Sequence, residues 1–177
     1  MSTRPSLDDG LIAARKGSRR APSGAPSGRV GPGEFVVYPG VPGRMYELLE
    51  RVSAAAGDSP DRGDPGISLD RTRLTLRWYG ELPADVRSVV EAATGFDVAV
   101  EQTEFRPGDL RAEADRLARE HAPTVTSATA RPEGDGIDVL VAPAAAGAVG
   151  GPDDALAAAG VTSPFPLVPE VGEVPPA

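Results

Sequence analysis

Thr72-Arg-Leu-Thr-Leu-Arg-Trp-Tyr-Gly-Glu-Leu-Pro-Ala-Asp-Val-Arg-Ser-Val-Val-Glu-Ala-Ala-Thr-Gly-Phe-Asp-Val-Ala-Val100 is the most informative stretch of the chain. Leu74, Leu76 and Trp78 alternate with Thr75 and Arg77. Successive strand side chains point to opposite faces, so this is a strand with one apolar face. Leu82-Pro83 then opens a helix, since proline is favoured in a first turn. Val86, Val89, Val90 and Ala93 share one helical face, and Gly95 closes it. Phe96, Val98 and Val100 alternate with Asp97 and Ala99, giving a second strand at once.

The same grammar extends outward. Upstream, Met45, Leu48, Leu49 and Val52 fall at i, i+3, i+4 and i+7, one apolar helical face ended by Gly57. Gly33-Glu-Phe-Val-Val-Tyr38 reads as a short strand before it. Downstream, Arg106-Pro-Gly-Asp109 turns the chain into a third helix, where Leu110, Ala114, Leu117 and His121 share a face and Pro123 ends it. A hairpin follows, from Val125 towards Arg131, through the turn Pro132-Glu-Gly-Asp-Gly136, and back along Ile137, Val139 and Val141. The expected order is β-α-β-α-β-α-β-β. The strands keep one polar face, so the expected fold is an α+β two-layer sandwich, helices packed on one face of an open mixed sheet.

Three segments are expected. Residues 1–33 form a basic arm with Arg4, Arg15, Lys16, Arg19, Arg20 and Arg29 against Asp8 and Asp9. It has too few apolar groups to offset chain entropy and reads as disordered. Residues 34–142 form the α/β domain. Residues 143–177 form an Ala/Gly/Pro-rich tail, mostly disordered, with one short helix over Asp153–Gly160 and polyproline-like chain after Ser163. Limited proteolysis is therefore expected to trim the chain to 34–142.

Composition excludes several chemistries. The chain of 177 residues has a net charge of -8, no cysteine and one histidine. Disulfides, thiolate nucleophiles, Cys-ligated zinc and multi-His metal sites are ruled out. The acidic balance argues against nucleic-acid binding. No stretch approaches the roughly 20 apolar residues of a membrane span. No signal peptide is visible, so the chain as written reads as cytoplasmic, with export requiring a different start site.

The remaining candidates read as structural. Gly57-Asp58-Ser59-Pro60 recurs in serine hydrolases in related form, but His121 lies on the wrong side of Ser59 for a trypsin-like order, and Ala118 stands where a lipase-type site needs aspartate. His121 suits a helix C-terminus. Asp58, Asp61 and Asp64, like Glu133, Asp135 and Asp138, read as solvated turns, since neither set has the calcium-loop spacing. Arg62-Gly63-Asp64 spells an adhesion tripeptide and reads as coincidence. No Gly-rich phosphate loop is present. No residue is assigned a catalytic, cofactor-binding or metal-ligating role, and no cofactor is expected.

Leu69-Asp-Arg-Thr-Arg-Leu-Thr-Leu-Arg-Trp-Tyr-Gly-Glu-Leu-Pro83, Phe105 with Leu110 and Leu117, and Arg131-Pro-Glu-Gly-Asp-Gly-Ile-Asp-Val139 resemble an actinobacterial domain type. It is the α/β pro-region of alpha-lytic-protease-type (trypsin-like) serine proteases, over residues 45–141. One lysine among 18 basic residues suits a high-GC genome. The resemblance implies a non-catalytic protein-interaction module, because such pro-regions lay a sheet edge and a C-terminal tail against their protease. With Ala177 as last residue and no export signal, a standalone module is expected, its partner protease-like or unknown and its oligomeric state open. The alternatives are a hydrolase built on carboxylates such as Glu81, Glu101 and Asp135, and an adaptor tethered by the basic arm.

Overall fold

The computed structural model describes residues 40–173. The basic arm and the expected strand at Gly33–Tyr38 lie outside them. Among the described residues the protein is α+β, with five helices and two three-stranded mixed sheets. The order is α1 (Gly43–Ala56), β1 (Gly66–Ile67), β2 (Arg73–Trp78), α2 (Ala84–Glu91), β3 (Asp97–Gln102) and α3 (Pro107–Glu120). Then come β4 (Val125–Ala130), β5 (Ile137–Val141), α4 (Pro143–Val149), α5 (Pro152–Ala158) and β6 (Leu167–Val171).

The helices and strands read from residues 45–141 are in place, but the strands divide into two sheets. In the order β1-β2-β3, β2 pairs antiparallel with β1 and parallel with β3. In the order β4-β5-β6, β5 pairs antiparallel with β4 and parallel with β6. Each sheet has its own core. Leu74, Leu76 and Trp78 of β2 bury against Leu48 and Val52 of α1 and Val86 of α2. Ile137, Val139 and Val141 of β5 bury against Leu110, Ala114 and Leu117 of α3 and against Ala146, Ala155 and Leu156.

The two halves share one plan: helix, antiparallel strand pair, helical crossover, parallel strand. Met45, Leu49 and Val52 of α1 repeat as Leu110, Ala114 and Leu117 of α3, at i, i+4 and i+7 in both. The joint between the halves is the start of α3. There the Gly108 N–H donates to Pro60 O at 2.7 Å, and Arg106 Nε meets Asp61 Oδ1 at 2.6 Å. A Cβ on Gly108 would stand 2.6 Å from that of Pro60, so glycine is required for this approach.

The tail is the main departure from the sequence reading. Residues 143–171 carry α4, α5 and β6, so the ordered body does not stop at residue 142; α5 is the short helix expected over Asp153–Gly160, while α4 and β6 were not expected. The prolines explain the error. Pro107, Pro143 and Pro152 open α3, α4 and α5, while Pro42 and Pro83 precede α1 and α2. A missing N–H costs nothing in a first turn, so these prolines start helices. Pro169 lies within β6, opposite Val139. The Gly172 N–H bonds Val141 O at 3.0 Å. By alternation, Val168 and Glu170 also face β5, and the nitrogen of Pro169 faces outward, where a strand tolerates proline.

Arg116 fastens the chain leading to β6. Its guanidinium grips Glu113 at 2.7 and 2.8 Å and Glu120 at 2.7 Å, and donates to Thr162 O at 2.8 Å. Phe165 packs edge-to-face on Phe105, centroids 5.3 Å apart.

Two outcomes follow from these contacts. Trp78 is 2% exposed; Trp78→Ala should lower unfolding free energy by about 3–5 kcal/mol in urea titration, and an unchanged midpoint would contradict the core assigned to β2. The Arg116 hydrogen bonds hold the Glu113 carboxyl below its ordinary value of 4.5, against burial, which pushes it up. Its contribution is complete above pH 4.5 and lost as acid takes the pH through the lower folded value. Glu113→Gln should therefore flatten the fall of stability in acid; equal acid slopes in variant and parent would refute this.

Candidate functional site

Ser59 and His121 do not form a catalytic pair. Ser59 sits in the loop after α1, and its Oγ accepts from the Asp61 N–H at 3.3 Å. His121 caps the C-terminus of α3, its N–H on Leu117 O at 3.1 Å. Its ring makes no hydrogen bond or ion pair among the described residues. It is near enough to Glu113 to help hold that carboxyl low.

Five of the candidate acidic residues are paired with arginines. Asp61 holds Arg106, and Asp135 and Asp138 share Arg131 at 2.7 and 3.0 Å. Glu81 holds Arg87 at 3.2 Å, and Glu101 lies 3.5 Å from Arg77. Glu81, Glu101 and Asp135 therefore each have a separate partner on a separate part of the fold. Among the described residues no group of three or more acidic or histidine side chains is placed to hold a metal ion. No described helix is long and apolar enough to cross a membrane. The basic arm of the adaptor alternative lies outside the described residues.

The sheet edges carry a sharper signal. An edge strand presents unpaired N–H and C=O groups that can pair with another chain, and proteins usually blunt such edges. Among the described residues, three of the four sheet edges are blunted. β1 has two residues, and the chain before it is interrupted by Asp64-Pro65, though Arg62 bridges to Trp78. β4 carries a bulge between Val125 and Ser127. β6 carries Pro169.

β3 has none of these devices. It runs six residues in unbroken parallel register with β2, from Arg73↔Asp97 to Trp78↔Gln102. The Asp97 N–H bonds Thr72 O at 2.9 Å and the Thr103 N–H bonds Trp78 O at 3.0 Å. In a parallel ladder the N–H and C=O of one residue point the same way, and the next residue points oppositely. Val98, Val100 and Gln102 thus turn their backbone groups away from β2. Val100 is 39% exposed. Register puts Val98 and Val100 beside Leu74 and Leu76 on the apolar face, and Asp97 and Glu101 beside Arg73 and Arg77 on the polar face.

The sequence identifies β3 as a strand but not as an edge, because edge status depends on strand order. The available sign was compositional: residues 96–102 contain no proline, glycine or basic residue, whereas β6 contains Pro169.

Compared with known proteins, the sequence matches no protein-family model and no curated protein.

Proposed function

We propose that the protein is a non-catalytic interaction module that takes up an extended segment of a partner protein along β3. The single observation behind this reading is the regular outer edge of β3 beside three blunted ones. In strand addition, main-chain hydrogen bonds supply affinity and alternate side chains supply specificity. The outward groups of Val98, Val100 and Gln102 offer the main-chain bonds. An apolar residue on the incoming strand covers Val98 or Val100, and a basic residue on the other face meets Asp97 or Glu101. The preferred segment therefore alternates apolar and basic residues. The resemblance to protease pro-regions, which lay a sheet edge against their partner, supports the same use of the fold.

Val100→Pro separates binding from folding. The Val100 N–H points away from β2, so its loss leaves the ladder to β2 intact, as for prolines on other edge strands. The probe is an alternating arginine-valine peptide, with a glutamate-valine peptide as control, followed by amide hydrogen exchange. The arginine-valine peptide should slow exchange at Val98, Val100 and Gln102, the control should do so far less, and folded Val100→Pro should show no peptide-dependent protection at Val98 and Gln102. Equal protection by both peptides, protection elsewhere, or none, would overturn the proposal.

A further inference from the structure

A second surface, separate from β3, has the make-up of a ligand site. Between α1, the loop after it and the end of β2 lies a cleft of about 430 Å³, within the usual range for small-ligand pockets. Half-buried Leu49 contributes its open apolar lining, and the almost wholly buried Val52 and Trp78 border it. Arg62 from the loop, Arg77 from β2 and Arg111 from α3 also line it.

These arginines are not equally engaged. Arg77 has Glu101 at 3.5 Å and donates to Asp64 O at 3.1 Å. Arg62 donates to Ser53 Oγ at 2.8 Å, and Arg111 donates to the carbonyl of Arg62 at 3.2 Å. Neither has a carboxylate within 4.0 Å among the described residues, whereas Arg77, Arg87, Arg106, Arg116 and Arg131 all do. A guanidinium has five N–H donors. Ser53 Oγ and the Arg62 carbonyl thus steady two cations at the cleft while leaving their charge and most donors available. Asp58 and Asp64 also line the cleft. They offset part of the positive charge, which favours a singly charged anion over phosphate.

We propose that this cleft binds a monocarboxylate bearing an apolar group, the carboxylate on Arg62 and Arg111 and the apolar group towards Leu49, Val52 and Trp78. A free aromatic acid and the carboxyl end of a peptide share this chemistry.

Trp78 is the sole tryptophan of the chain, so its fluorescence reports on the cleft directly. The intact protein is titrated with N-acetylphenylalanine, its carboxamide, acetate, phosphate, and acetyl-Ala-Ala-Phe with a free carboxyl. N-acetylphenylalanine should give a saturable change and bind at least about tenfold more tightly than the carboxamide, acetate or phosphate, the scale of one charged hydrogen bond. Tighter binding of the tripeptide identifies a peptide end as the ligand, and tighter binding of N-acetylphenylalanine identifies a small acid. Arg62→Gln and Arg111→Gln should each weaken binding by a similar factor. Arg62→Lys, which keeps the charge and loses the planar fork, serves if Arg62→Gln fails to fold, and should also bind more weakly. Equal affinity for acid and carboxamide, no saturable signal, or full affinity in folded arginine variants would overturn the proposal.

Discussion

Each half of the body hangs on a single strand whose alternate side chains are almost wholly withdrawn from water. In β2 these are Leu74, Leu76 and Trp78; in β5 they are Ile137, Val139 and Val141. A three-stranded sheet can be covered on one face by helices from its immediate neighbourhood, so each central strand gathers its own. The rest follows from that requirement. Helices precede and cross over, the flanking strands are left as edges, and the two cores meet through the turn at Arg106–Gly108 rather than through a common sheet.

Local structure was largely legible. Alternation at 74–78 and 96–100 and helical spacing at 45–52, 86–93 and 110–117 are consequences of which side chains bury, and burial leaves a periodic trace. Partition into two sheets leaves no such trace, because alternation tells which face a residue occupies and not which strand lies beside it. The tail departs from what its composition suggests for a different reason. Proline count does not measure disorder, because its effect depends on where the missing N–H points. At Pro143 and Pro152 it points out of a first turn, and at Pro169 away from the neighbouring strand.

The candidate surfaces show the same division. Ser59, His121 and the acidic turns could be weighed from spacing alone, and the structure gives Asp61, Asp135 and Asp138 to arginines. β3 as an open edge and the cleft of Arg62 and Arg111 could not be found this way. Arg62 and Arg111 are 49 positions apart in the chain and meet only because α3 docks on the loop after α1. The adhesion-like tripeptide beginning at Arg62 is used instead to build one wall of that cleft.

The parallel pairing of the last strand in each half also sets an order in time. A parallel strand cannot be supplied by a tight turn and must await its crossover. The first half has all its strands once Gln102 has left the ribosome, while β5 stays without a parallel neighbour until Val171 emerges. Every strand of the amino-terminal half is therefore synthesised while the parallel partner of β5 is still to be made.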